Sequence, residues 1–333
     1  MPWTQSLPNG YVGSVGAPTD LSELQALVAT VDTMLEGTST MTVDTLETSF
    51  GEPDFDRTRH VALVHSNDGK LVGAAWFNLI QPFVASFAPG YVHPDYEGLG
   101  IGGSLTEWLI AAAHANESKA PDDTRVTLAV GIHDSNERAK RLFSARGFEV
   151  ERYFLEMEIA LGQPISIPPL AEGLTLRTMS PDEDVDALSA AVTGSFKDHY
   201  GFTERPPEVS NARWRQWRTS EVWDDDLVWL AMADDRIVGV NVCLRTHGAR
   251  EDQGYVASLG VLPDWRGKGL ARHLLTTSFA EYQSRGMDSV ALHVDADSLT
   301  GATRLYEGVG MHETQRTVDF QLEIRAGRDI TVR

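Results

Sequence analysis

A chain of 333 residues, 42% apolar and 23% charged, is long enough for two domains with complete cores. Its formal charge of −20, from 28 basic and 48 acidic side chains, argues against nonspecific binding to nucleic-acid phosphates and suits a cationic small molecule as well as plain solubility. The single cysteine, Cys243, can form no intrachain disulfide, the N-terminus lacks a basic region followed by an apolar run, and no uncharged apolar run nears the ~18 residues of a membrane span; a cytoplasmic protein without a membrane partner is expected.

Helical spacing marks Leu21–Leu35 and Thr42–Phe50. A hairpin follows, with His60–Ser66 as one strand, Asn67–Lys70 as the turn and Leu71–Leu79 as the return. Pro82 and Pro89 interrupt the next strand. Ser104–Asn116 reads as a helix, Val126–Gly131 as a strand, Glu137–Arg146 as a helix closed by Gly147, and Val150–Leu161 as a strand. Three prolines within Gly162–Pro169 mark an extended spacer, so residues 164–170 are set as a linker between domains at 1–163 and 171–333. Beyond it, Leu174–Met179 is a strand, and Ser180, Pro181 and Glu183 open a helix as cap, first position and capping-box acid. Val228–Ala233 and Ile237–Arg245 form a second hairpin, with Cys243 as an apolar strand residue. Gln253–Val261, Leu270–Arg285, Ser289–Asp295, Thr300–Val309 and Thr317–Ile324 then alternate strand and helix. Each half is therefore expected to be α/β, with a mixed (α+β) sheet.

One segment occurs twice. Val92-His93-Pro94-Asp95-Tyr96-Glu97-Gly98-Leu99-Gly100-Ile101-Gly102 returns as Val261-Leu262-Pro263-Asp264-Trp265-Arg266-Gly267-Lys268-Gly269-Leu270-Ala271, offset by 266 − 97 = 169 residues. A glycine turn between strand and helix places backbone N–H groups and a positive helix end around an anion. By letter, Gly98–Gly103 also fits a dinucleotide fingerprint. Three features oppose that reading: Pro94 and Asp95 fit the end of a buried strand poorly, the acidic Glu117 has no strand end to sit on, and Arg272 stands where the second copy needs its third glycine.

The shared pattern V-x-P-D-aromatic-x-G-x-G-x-small, with its downstream A-x-x-L-aromatic helix, resembles the GNAT superfamily of acyl-CoA-dependent N-acyltransferases once per half. The resemblance implies two tandem GNAT-type domains and acetyl-CoA as the acyl donor. It assigns Arg266, Gly267, Lys268, Gly269, Leu270 and Ala271 to the diphosphate, with Arg266 and Lys268 adding charge. It assigns the Leu259 backbone N–H to the acetyl carbonyl, where an oxyanion develops, and Val261 to the pantetheine arm. Tyr306 in Ala302-Thr303-Arg304-Leu305-Tyr306 would protonate the departing thiolate, and Ser298 would start that helix in place of asparagine.

The N-terminal half departs at both chemical positions: Glu97 begins its loop and Phe143 replaces the tyrosine, although Asn136 is kept. It is expected to be degenerate, with Gly98, Gly100 and Gly102 still able to hold CoA. An alkylamine of pKa ~10.4 is neutral in only about one molecule in 10³ at pH 7, so a base is needed. His293 is set as that base, with Asp295, Glu251 and Asp252 as other candidates. The loop Asp198–Glu208 would border the acceptor. The expected activity is acetyl transfer from acetyl-CoA to the primary amine of a small, cationic acceptor, by a monomer or homodimer using no metal. Two alternatives stand beside it. One is a non-catalytic acyl-CoA sensor. The other is acetylation of an amino-sugar thiol precursor, as in the tandem mycothiol synthases, whose catalytic glutamate is replaced here by Tyr255.

Overall fold

A computed structural model describes residues 3–180, 184–298 and 301–333. The proposed helix start at Pro181–Glu183 lies outside the described residues. The chain divides into two compact units, one running to Tyr153 and taking in Thr317–Ile330, the other comprising Phe154–Arg316 and Thr331–Arg333. The division therefore differs from the expected linker at 164–170, for a reason that appears at the long strands.

In the first unit, β1 (Tyr11–Val15), β2 (Val61–Ser66), β3 (Leu71–Trp76) and, further along the chain, β6 (Gly90–Val92) form one antiparallel run. Between β3 and β6 come two short strands, β4 (Asn78–Leu79) and β5 (Ala85–Phe87), and β5 pairs in parallel with β7 (Val126–His133). The strand interrupted by Pro82 and Pro89 is thus broken into pieces with different neighbours. Helices α1 (Ser22–Glu36) and α2 (Val43–Phe50) cover one sheet face, and Thr42 caps α2 by accepting the Thr45 N–H. Helices α3 (Ile101–Asn116) and α4 (Glu137–Ser144) belong to the other face, where Asn136 caps α4 through the Ala139 N–H.

The next strand, β8 (Glu149–Ala160), crosses from one unit to the other. Its Phe154–Ala160 stretch pairs antiparallel with β13 (Ser289–Asp295) inside the second unit. The order there is β8, β13, β12 (Gln253–Val261), β11 (Arg236–Leu244), β10 (Trp223–Ala233) and β9 (Leu174–Thr178). Helices α5 (Asp184–Phe196) and α6 (Pro207–Trp217) cover one face; α7 (Leu270–Ser284) and α8 (Ala302–Gly308) cover the other. The last strand, β14 (His312–Arg325), returns to complete the first unit: Thr317–Arg325 pairs with β7 from Val126 to His133. Each sheet is closed by a strand from the opposite half of the sequence, so no cut at a single linker separates the units.

The repeat extends to packing. A Cβ on Gly73 of β3 would stand 2.8 Å from Ile101, and one on Gly239 of β11 would stand 2.9 Å from Leu270, so each helix that follows a glycine loop seats its first side chain on a bare backbone. Ser104 donates to the Ser6 carbonyl at 2.9 Å, and His273 meets the Pro168 carbonyl at 2.7 Å, so the segment before the first strand is tied to the same helix in each unit.

Candidate active site

Strands β12 and β13 run parallel from Gln253↔Ser289 to Val256↔Leu292 and then part. Beyond that point β12 stays on β11 as far as Val261, with a bulge: Val242 faces Ser258 and Cys243 faces Val256, leaving Ala257 unmatched. A bulge bends the strand that carries it, here at the place where β12 leaves β13. The Leu262 N–H donates to the Val238 carbonyl at 3.0 Å. By strand alternation, the N–H groups of Leu259 and Val261 point away from β11, toward the gap. A cavity of about 680 Å³ opens there, lined by Val256–Val261, Leu292–Asp295, the glycine loop and Tyr306.

The loop reads as the sequence implies in its backbone. Gly267 and Gly269 have φ of +73° and +80°, which disfavours any side chain, and no atom lies within 4 Å of where a Cβ would stand. The amides before and at the start of α7 are therefore approachable, and the first turn of α7 carries no acidic residue to compete for them. The two basic side chains are placed otherwise. Arg266 donates to Val261 O at 3.1 Å, to Ser195 O at 2.8 Å and to both Asp198 oxygens, one of them at 2.9 Å. Its hydrogen bonds hold the Asp198 carboxyl below the usual range. Lys268 bonds the Asp264 carbonyl at 3.0 Å and lies 4.7 Å over the Trp265 ring. The loop's attraction for an anion thus rests on backbone dipoles, and Arg266 ties the loop to the end of α5. In the first unit, Gly98 and Gly100 also have positive φ, Gly102 lies inside α3 against Leu142, and Glu97 pairs with Arg138 at 2.6 Å.

Tyr306 is buried on α8 and lines the cavity; burial lifts its phenol to about 12, so it holds its proton through the neutral range. Phe143 is equally buried on α4. Helix α8 begins after Gly301 in a left-handed conformation rather than at Ser298, because Ser298 sits in the turn whose carbonyl accepts the Gly301 N–H.

His293 also lines the cavity, on the face carrying α5 and α6. Its Nδ1 lies 2.9 Å from Tyr255 Oη and its Nε2 lies 3.6 Å from Glu156 Oε2. Burial lowers the His293 pKa; Glu156 opposes that and His247 adds to it, so the ring is neutral at pH 7. Glu156 is buried on β8, directly across from His293 in register, and Thr314 donates to its Oε1 at 3.1 Å. His247 stacks on the Tyr255 ring at 4.3 Å and bonds Gln253 Oε1 through Nδ1 at 2.8 Å. Glu156, His247 and His293 each bring one ligand-type atom within 4.8 Å of the others. Sequence reasoning missed Glu156 and His247, which lie on a strand from the other half and on a turn outside any motif.

Asp295 lines the cavity and accepts the Asp297 N–H, whereas Glu251 and Asp252 lie on an exposed turn and do not line it. His199 and Tyr200 of the expected acceptor loop reach the cavity. That loop is held by Thr331–Arg333: Gly201 N–H donates to Val332 O at 2.8 Å, Val332 N–H to Phe202 O at 3.0 Å, and Arg333 to Tyr200 Oη at 2.6 Å. Cys243 is buried in β11, and burial raises its thiol to about 12, as suits a packing residue. Among the described residues no helix is long and apolar enough to cross a membrane.

A parted strand pair, a glycine loop leading into a helix, and a buried tyrosine beyond the next strand define the acyl-CoA-dependent acetyltransferase architecture. The chain matches the acetyltransferase (GNAT) family twice, over residues 31–148 and 193–311, and belongs to it as a tandem member. Acetyl-CoA is its acetyl donor. The loop's open, positive-φ glycines and the adjoining cavity of about 680 Å³ fit such a donor. Among curated relatives, the chain is similar to the mycothiol acetyltransferases of Streptomyces bingchenggensis and Thermobispora bispora. The first is 31% identical over 265 residues, 77% of this chain and 79% of the relative; the second is 32% identical over 253 residues, 74% and 78%. Among solved structures, a GCN5-related N-acetyltransferase from Sphaerobacter thermophilus is 32% identical, with a TM-score of 0.78 over 97% of this chain and 98% of the other. A tandem GNAT protein from the clavulanic acid biosynthesis pathway, 16% identical, shares the fold with a TM-score of 0.71 over 95% and 99% of the two chains.

Proposed function

We propose that the second unit transfers the acetyl group of acetyl-CoA directly to the primary amine of a small, cationic acceptor, and that the first unit is not catalytic. One observation carries this reading: the Leu259 N–H, Tyr306 and His293 converge on the cavity where β12 parts from β13. The amides of Gly267–Ala271 hold the diphosphate. The Leu259 N–H stabilises negative charge developing on the acetyl oxygen, and the Val261 N–H aligns the pantetheine arm. Neutral His293 takes the amine's proton, and the Tyr306 phenol donates to the sulfur as the C–S bond breaks. The acceptor enters past His199 and Tyr200, and the acidic Asp295 draws its positive charge. In the first unit the replacement of tyrosine by Phe143 removes the acid.

A second reading is compatible with the curated relatives named mycothiol acetyltransferases: acetylation of an amino-sugar thiol precursor. Tyr255 at the strand position of the expected carboxylate then requires His293 to take over as base. The test is incubation with acetyl-CoA and a panel of amino sugars, cysteine conjugates and polyamines, followed by mass spectrometry and thiol release. One acceptor should gain an acetyl group, and His293→Gln should abolish that gain. Free CoA released equally with and without every amine would refute the reading.

A further inference from the structure

We propose that Glu156 is the positioning residue for His293, holding the ring for proton uptake and stabilising the imidazolium that forms. This inference rests on the reading of His293 as base.

The two ring nitrogens have different neighbours, and the base role uses the tautomer with its proton on Nδ1. Nδ1 is within hydrogen-bond distance of Tyr255 Oη, at 2.9 Å. Nε2 stands 3.6 Å from Glu156 Oε2, too far for a direct hydrogen bond. With the proton on Nδ1, donated to Tyr255 Oη, Nε2 keeps its lone pair free for the acceptor. The ammonium N–H bond breaks and its proton joins Nε2; the nitrogen lone pair attacks the acetyl carbon, the C–S bond breaks as the sulfur takes the Tyr306 proton, and the nitrogen's second proton restores the phenol. Charge on His293 rises by one, and the imidazolium stands 3.6 Å from Glu156 Oε2, whose negative charge offsets it. The proton later leaves to water.

Three features fit Glu156 for that role. It is buried, while the His293 side chain stays 41% exposed toward the cavity, so the carboxylate's field on the ring is partly screened. It lies directly across from His293 in the antiparallel β8–β13 register, which fixes the separation of the two backbones. Thr314 holds Oε1 at 3.1 Å, leaving Oε2 turned to the ring. The groups facing His293 are Glu156 on β8, Tyr255 on β12 and His247 on the turn before β12; of these only Glu156 favours the protonated ring. Burial is the larger influence and keeps the resting ring neutral, with His247 acting in the same direction. The base is thereby completed by a strand from the opposite half of the sequence.

The experiment uses the full chain. First, the His293 imidazole is titrated by NMR, its signal assigned by loss in His293→Gln. In Glu156→Gln its pKa should fall further, by roughly one pH unit. Second, with whichever panel amine is acetylated, Glu156→Gln should lower kcat at pH 7 by roughly 10²-fold. The acid limb of its pH profile should move to lower pH, and the KM for acetyl-CoA should stay within about twofold. Glu156→Asp, which keeps the charge, should recover part of the rate. An unmoved His293 titration in folded Glu156→Gln, or a rate loss that is uniform across pH and not relieved by aspartate, overturns the inference. If His293→Gln itself keeps the parent rate, it is the assignment of the base that fails.

Discussion

Replacing Tyr306 by phenylalanine isolates one oxygen atom. The ring is buried, and Phe143 occupies the same helix position in the first unit with the same burial, so the fold already accepts a bare ring there. Thermal stability should stay within about 1 kcal/mol of the parent, because no neighbouring volume is created or filled. The effect belongs to the transition state. Burial lifts the phenol to about 12. A free thiolate, whose thiol has a pKa near 8.5, would be about 3.5 pH units weaker as a base than the tyrosinate. That mismatch would cost about 5 kcal/mol for full proton transfer, so the phenol assists chiefly by hydrogen-bonding the sulfur as charge builds there. Burial beside Tyr306 would raise the thiol's own value as well and narrow the gap. The expected fall in kcat is therefore at the lower end of the range for a positioned acid, roughly 10²–10³-fold. KM for acetyl-CoA should barely change, since the interaction strengthens only as the C–S bond breaks. Steady-state kinetics with thiol detection measures this. A kcat within about threefold of the parent would show that Tyr306 only packs.

Arg266→Glu would set a carboxylate against Asp198 and release the Ser195 and Val261 carbonyls; acetyl-CoA affinity, read by titration calorimetry, should weaken, because the loop amides lose the brace that positions them, and unchanged affinity would contradict this. Lys268→Ala should change it by less than about threefold, because that ammonium is turned onto Trp265. Stability should fall as pH drops below about 6.5. Burial lowers the pKa of His247, so below the unfolded value the unfolded chain binds a proton that the folded chain refuses until its own lower pKa is reached. A melting temperature that rises between pH 6.5 and 5 would contradict this, and His247→Gln should flatten that slope.

Much of the second unit was legible because its signals are local. Gly267 and Gly269 need positive φ, Leu270 starts the helix, and Tyr306 closes a short motif; each is set by neighbours within a few residues. What escaped the sequence is non-local. The Arg266 guanidinium finds Asp198 across 68 residues, which turned an expected phosphate ligand into a brace for the loop. Glu156 meets His293 from the far side of a proline-rich stretch that read as a boundary. The spacing of β8 and β14 announces long strands, yet alternation says nothing about which sheet a strand will join. Strand β1 was too short and too exposed to register, and Gly301 displaced Ser298 as helix start because glycine closes the preceding turn in the left-handed region.

The exchanged strands also govern how the chain is made. When the ribosome has released everything up to Ala160, β7 still lacks the neighbour that pairs with Val126–His133, and that neighbour is Thr317–Arg325. The first unit therefore waits through the synthesis of the entire second one with an open hydrogen-bonding edge, the kind of surface that recruits stray strands. Closing it requires contacts between residues nearly two hundred positions apart, which slows folding. Chain termination just after Arg316 would leave the second unit nearly whole and strip the first of the strand that pairs with β7.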